Sequence, residues 1–259
     1  MKISAAIITF NEEKNISEAI ESVAWADEIV VVDSESSDRT AEIARQLGAK
    51  VHINPWPGFS KQKQFAADLC KNDFVLSIDA DERVSDQLRQ EIVSLTETPQ
   101  ITAYSIPRLA FYCGKPVRHC GWYPDRQIRL FNRKYARWNN RIIHESIEVS
   151  SGNVAKLQGH ILHYTISSTE EHARLIAERY APLAAKQMLK ENVNTSFAKA
   201  HLAATLTFIK TYFLKLGMLD GKTGLQISYF AAHNTLLKHL ILKDLRQACQ
   251  LTKRKTEDP

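Results

Sequence analysis

An α/β fold with a mostly parallel central sheet is predicted by three features of the first hundred residues. Apolar runs at 3–9, 29–32 and 75–78 each end abruptly in acidic or amide side chains. Stretches of helical spacing lie between them, and the connections are short, which is the pattern of strands joined by crossover helices. Polar residues delivered at the carboxyl ends of such strands are where open α/β sheets place their ligands.

The elements follow in order. The run Ile3–Thr9 ends in Phe10-Asn11-Glu12-Glu13, and a helix is predicted over 14–23, with Asn11 available as its cap. The run 29–32 ends in Asp33-Ser34; Ser37 or Asp38 caps a helix over 40–47, and a strand follows at Lys50–Ile53. Ser60 is placed to cap a helix over 60–70. The fourth strand, Val75-Leu76-Ser77-Ile78, runs into Asp79-Ala80-Asp81-Glu82, three carboxylates within four residues. Two acids one residue apart can share a divalent cation and a diphosphate, because hard oxygen ligands suit Mg²⁺ or Mn²⁺. A solvated turn is the plain alternative for an isolated Asp-x-Asp.

With 259 residues the chain can bury a substantial core, and no repeat or low-complexity run interrupts it. The organisation expected is a catalytic region over 1–165, its nucleotide-binding part about 1–100 and its acceptor-side part about 101–165, followed by a helical, basic region over 166–259. The amino terminus leads directly into a strand, so the expectation is a cytoplasmic protein without a secretory signal; the basic carboxyl-terminal region adds a peripheral position on the cytoplasmic face of the inner membrane as the further expectation. Cys70, Cys113, Cys120 and Cys249 have neither paired spacing nor regular intervals, which points to reduced thiols rather than disulfides or a zinc site. Of the net charge of +5, the segment from Lys199 onward carries an excess of six, so the rest is about neutral. Ile227, Phe230, Ala231, Asn234, Leu237, Ile241 and Leu245 recur at roughly helical spacing among Lys238, Lys243 and Arg246. This stripe reads either as a packing face or as a surface for an anionic membrane. No pattern of interleaved basic and aromatic residues points to nucleic acid.

Taken together, Ile8-Thr9-Phe10-Asn11-Glu12, Val31-Val32-Asp33-Ser34 and Ile78-Asp79-Ala80-Asp81-Glu82 resemble the family 2 inverting glycosyltransferases of the GT-A fold. Within them the chain is similar to the bacterial lipopolysaccharide core β-1,4-glucosyltransferases. Gln127-Ile128-Arg129-Leu130-Phe131, Ile143-His144-Glu145 and Leu216-Gly217-Met218-Leu219-Asp220-Gly221 extend the likeness over nearly the whole chain. The resemblance implies transfer of a sugar, glucose from UDP-glucose as first choice, onto a lipopolysaccharide core or other lipid-linked glycan with inversion to a β-linkage. It also implies that Thr9, Asn11 and Glu12 lie under the uracil and ribose, that Asp33 contacts the nucleoside, and that Asp79 contacts the ribose or donor sugar. Asp81 then ligates Mg²⁺ or Mn²⁺, and His163, preferred over His160, completes the metal shell. Asp33 as a loop cap and Asn11 as a helix cap are the structural alternatives.

The remaining roles are read from residue chemistry. Displacement at an anomeric carbon needs a stabilised diphosphate and a base for the incoming hydroxyl. Arg126 and Arg129 are the candidates to pair with the diphosphate or an acceptor phosphate, with structural salt bridges as the alternative. Lys61, Lys63 or Gln64, at a helix start, can meet phosphate or form a solvated face. Glu145 is the first choice of base and Asp125 the second, His144 orienting the base or binding acceptor; a structural ion pair is the alternative for either carboxylate. The absence of a Gln-x-x-Arg-Trp segment argues against processive synthesis, and the absence of glycine between Ile8 and Lys14 against a sugar nucleotidyltransferase. A membrane-associated scaffold that binds nucleotide sugar without turnover is the non-enzymatic alternative.

Overall fold

A computed structural model describes residues 1–139 and 145–257, with side chains up to residue 247. His144 and the Ile142-Ile143 pair before it lie outside the described residues, as does the side chain of Cys249. The chain forms two compact units, one of Met1–Leu109 with Pro124–Tyr164, the other of Ala110–Tyr123 with the chain from Thr165 onward. The segment 110–123, counted on sequence with the acceptor-side part, thus clusters with the carboxyl-terminal helices.

The first unit is built on β1 (Ile3–Thr9), flanked in parallel by β2 (Glu28–Asp33) and β4 (Phe74–Asp79), with β3 (Lys50–Ile53) parallel to β2. All seven residues of β1 are buried, which explains its unbroken apolar run: a central parallel strand has no solvent face. Helices α1 (Ile16–Ser22), α2 (Thr40–Gln46) and α4 (Asp86–Val93) supply Ile16, Ile20, Ala44, Leu88 and Ile92 to the core that includes Ile7, Leu76 and Ile78. Helix α3 (Phe59–Leu69) supplies Ala66 and Ala67 to a second core with Ala6, Ile8, Val30, Val32 and Phe131. The register sets Thr9 opposite Asp33 and Ile8 opposite Asp79, so three adjacent strands release their polar residues side by side.

Beyond β4 the sheet becomes mostly antiparallel. It continues through β8 (Asp125–Asn132), β6 (Ile101–Tyr112), β12 (Ile161–Ile166) and β5 (Glu82–Val84), with β7 (Lys115–Pro116) and β11 (Asn153–Lys156) added to β6, β11 in parallel. Between β8 and β6 the register slips: Tyr104 faces Leu130 but Ser105 faces Ile128, leaving Arg129 as the extra residue of a β-bulge. A small hairpin of β9 (Ala136–Trp138) and β10 (Ile147–Val149) brings Trp138 into the second core.

Two caps differ from the sequence expectation and one agrees with it. Helix α1 starts after Asn15, and Asn11 instead adopts φ 53° and accepts a hydrogen bond from the Ser37 amide, 2.8 Å. Asp38 does serve α2, its Oδ1 accepting from the Thr40 amide at 3.0 Å. Helix α3 is entered through Gly58 at φ 104°, a left-handed turn open to glycine, and Ser60 lies inside the helix and donates to the Asn139 carbonyl.

The second unit is helical: α5 (Thr169–Leu175), a π turn at Ile176–Tyr180, α6 (Ala181–Lys190), α7 (Phe197–Ile209), a second π turn at Lys210–Leu214, a 3₁₀ turn at Gly217–Asp220 and α8 (Gly221–Glu257). Ser168 and Ser196 cap α5 and α7 through their hydroxyls. Ile227 and Phe230 are buried with Tyr112, Val117, Ile166 and Ile176, and Leu237 and Ile241 pack against the same cluster. Ile227, Phe230, Leu237 and Ile241 of the α8 stripe therefore serve as a packing face. Among the described residues no single helix is long and apolar enough to cross a membrane.

Candidate active site

Two loops close over the strand ends and are fastened to each other. The Asn11 amide donates to the Ser36 hydroxyl at 2.8 Å and the Glu12 amide to the Thr40 hydroxyl at 2.8 Å. Asp33, fully buried, accepts from the Ser36 amide at 2.8 Å. Asn11 and Asp33 thus hold the Ser36–Ser37 loop in place, consistent with the loop-cap alternative for Asp33. Glu12 accepts from Asn15 Nδ2 at 2.7 Å; burial, with Asp81 and Asp38 nearby, raises its carboxyl above the ordinary range despite that hydrogen bond.

Two buried oxygens at these strand ends have no hydrogen-bond partner among the described residues, Thr9 Oγ1 and Asp79 Oδ1. Buried polar groups are nearly always satisfied, so such atoms point to a group that binds from outside the chain.

Asp79 anchors an ionic network. Its Oδ2 lies 3.0 Å from Lys63 Nζ and 3.3 Å from Arg129. Burial alone would push this carboxyl up, but Lys63 and Arg129 outweigh it and hold Asp79 well below the usual carboxylate range. Lys63 also reaches Glu145 Oε1 at 3.6 Å, and its ammonium lies 5.0 Å from the Trp138 ring centroid. Arg129 continues to Glu82 Oε1 at 2.9 Å, Arg108 meets the same oxygen at 3.3 Å, and Glu82 Oε2 accepts from the Asp79 amide at 3.0 Å. Arg108 then pairs with Asp125 at 2.7 Å. Every link crosses between separate elements, so the network fixes where β4 ends.

Asp81 and His163 form the other half of the site. Asp81 Oδ2 is 3.1 Å from His163 Nε2, and both side chains retain some exposure. Among the described residues no third His, Cys, Asp or Glu joins them in a closed metal cluster. An oxygen and an imidazole nitrogen at this separation suit adjacent positions on one divalent cation whose other ligands come from water and phosphate, the usual manner of Mg²⁺ and Mn²⁺ in nucleotide sites. The residues present fit such an ion.

Of the residues expected on sequence, Thr9, Asp33 and Asp79 meet at neighbouring strand ends, Asn11 and Glu12 sit on the loop above, and Asp81 meets His163. Glu145 reaches the network through Lys63. Asp125 is held on both oxygens, by Arg108 and by Gln127 Nε2 at 2.7 Å; burial would raise it, but these partners hold its carboxyl below the usual value. It is therefore a structural ion pair rather than a base. The two arginines do not converge on a diphosphate: Arg126 donates to the Ser105 and Leu157 carbonyls at 3.2 and 3.0 Å, and Arg129 to Asp79 and Glu82. The cation that joins Asp79 to Glu145 is Lys63, buried on α3, whereas Lys61 is exposed. The signal was present in the sequence: Ser60, Lys63 and Ala67 share one face of α3, so the lysine lies on the packed side. Arg108 carried no comparable mark, and Glu82 was marked only as part of the carboxylate run after β4.

Residues 4–155 match the family model described as glycosyl transferase family 2. Among curated relatives, an uncharacterized glycosyltransferase of Rickettsia typhi is 36% identical over 94% of this chain and 87% of its own length. The lipopolysaccharide core biosynthesis glycosyltransferase LpsC of Rhizobium meliloti is 28% identical over 93% of this chain and 94% of its own. Among solved structures, mannosyl-3-phosphoglycerate synthase from Rubrobacter xylanophilus is similar at 26% identity and a TM-score of 0.36, over 43% of this chain and 40% of that one. The family model spans the strand ends from β1 to β11 but stops short of His163, and the relatives extend the match through the helical unit; the chain belongs to glycosyl transferase family 2 and has its GT-A fold.

Proposed function

We propose that this protein transfers a hexosyl group, glucose from UDP-glucose as first choice, onto a lipopolysaccharide core or other lipid-linked glycan with inversion to a β-linkage, at the cytoplasmic face of the inner membrane. The observation that carries the reading is the Asp81–His163 pair set beside the unpartnered buried oxygens of Thr9 and Asp79. LpsC, similar over nearly its full length, supplies the acceptor class.

In this reading Thr9 Oγ1 and Asp79 Oδ1 take hydrogen bonds from the nucleoside and donor sugar. Asp81 and His163 hold Mg²⁺ or Mn²⁺, which supplies charge neutralisation to the departing diphosphate when bound. Glu145 takes the proton of the acceptor hydroxyl as its oxygen bonds to the anomeric carbon; the bond from that carbon to the diphosphate oxygen breaks and UDP leaves. Lys63, bridging Asp79 and Glu145, keeps donor-side and acceptor-side carboxylates in register.

The test is release of UDP from UDP-glucose with Mn²⁺ and a core-oligosaccharide lipid acceptor, with the product's anomeric configuration read by NMR. A β-linked product is expected. Release of pyrophosphate, or donor binding without transfer to any lipid-linked glycan, would overturn the reading.

A further inference from the structure

We propose that the second unit seats in the surface of an anionic lipid bilayer, and that the part entering the lipid is the bend between α7 and α8. The proposal goes beyond sugar transfer and rests on this unit's own geometry, so its failure would leave the reading of the strand-end site in place.

The first observation is where apolar surface lies. Eleven of the 23 large apolar side chains exposed among the described residues fall within the 33 residues from Phe197 to Tyr229. They concentrate at the bend, where Leu214 is 76% and Leu219 61% exposed, with Phe213, Leu216 and Met218 beside them. Exposed apolar clusters of this kind mark interaction surfaces.

The second is that the bend is built. The segments Phe197–Leu214 and Gly217–Gln247 meet at 69°. Leu216 turns the chain at φ 56°, and a Cβ at Gly224 would stand 1.7 Å from the Gly217 carbonyl oxygen, so glycine at 224 is what lets the 3₁₀ turn close onto α8. Among the described residues no single helix is long and apolar enough to span a membrane, and the 69° bend points its apolar side chains outward at one place, which suits an element lying in the interface.

The third is charge, which selects the occupant. Lys199, Lys210, Lys215 and Lys222 are all exposed along this stretch. Its one acidic residue, Asp220, is held by the amide and Nδ1 of His119, each at 2.8 Å. The free charges along Phe197–Tyr229 are therefore all positive, which matches anionic headgroups. A second copy docking face to face would set lysines against lysines.

The experiment is co-sedimentation of the full chain with phosphatidylcholine vesicles containing or lacking phosphatidylglycerol. Wild type is expected to partition onto the anionic vesicles at low salt and to lose part of that binding at high salt. Leu214→Gln with Leu219→Gln should reduce the partition coefficient at least about tenfold, since both side chains lose their transfer into lipid, while circular dichroism and thermal unfolding stay as in wild type. Lys210→Gln with Lys222→Gln should remove mainly the salt-sensitive part. Failure of wild type to bind anionic vesicles, unaltered binding by the Leu214/Leu219 variant, or a stable dimer in sedimentation velocity that the same variant dissolves would each overturn the proposal.

Discussion

Replacing Lys63 with Met tests whether the buried ammonium organises the site. Its side chain is 3% exposed and lies 3.0 Å from Asp79, whose side chain is 24% exposed. Removing one partner of a buried pair costs about 3–5 kcal/mol. Asp79 keeps Arg129 at 3.3 Å and some access to water, so we expect about 2 kcal/mol. At about 2–4 °C per kcal/mol for a chain of this size, the midpoint should fall by roughly 4–8 °C. The pH dependence identifies the source. Asp79 has a folded-state pKa depressed below its unfolded value, so its stabilisation is present above about pH 4 and is lost as pH falls through the folded value. The gap between wild type and Lys63→Met in denaturant titrations should therefore narrow as pH falls from 5 towards 3. Turnover should drop at least about tenfold as Glu145 loses its tether. Equal stability at neutral pH, or a deficit that keeps its size through the acid range, would refute the reasoning.

Three further substitutions separate roles within the site. Glu145→Gln should lower turnover by about 10²-fold or more with donor affinity retained; steady-state kinetics alongside calorimetry of donor binding checks this. Asp125→Asn should lower the thermal midpoint, through loss of the Arg108 pair, yet leave most of the turnover, because both oxygens are already engaged; loss of turnover at unchanged stability would restore it as a base. Thr9→Val should leave the apo protein as stable as wild type or more so, since the hydroxyl has no partner, while calorimetry shows UDP-glucose binding weakened about five- to tenfold.

The parts legible in the sequence were those set by backbone continuity. An apolar strand that ends in a carboxylate announces both its burial and the side that carries chemistry, and Thr9, Asp33 and Asp79 followed from that directly. Asp81 and His163, 82 residues apart, were paired through family likeness rather than spacing, because nothing local ties β12 to the turn after β4. Arg126 and Arg129 show the limit from the other side. Their spacing suggested a clamp, but a bulge at Arg129 re-aims that side chain, and a bulge depends on a partner strand whose register cannot be read locally. The stripe on α8 was visible as a period; whether it met lipid or protein was decided by residues around Tyr112 and Ile166, far away in the chain.

Titration of UDP-glucose in the presence of Mn²⁺ into wild type and Asp81→Asn, followed by calorimetry, addresses the central claim most directly. The account predicts saturable binding by wild type that disappears on chelation, and an affinity at least about tenfold weaker in Asp81→Asn, with the thermal midpoint of the metal-free protein unchanged. Binding of equal strength by both proteins, or none by wild type to any nucleoside-diphosphate sugar, would contradict it.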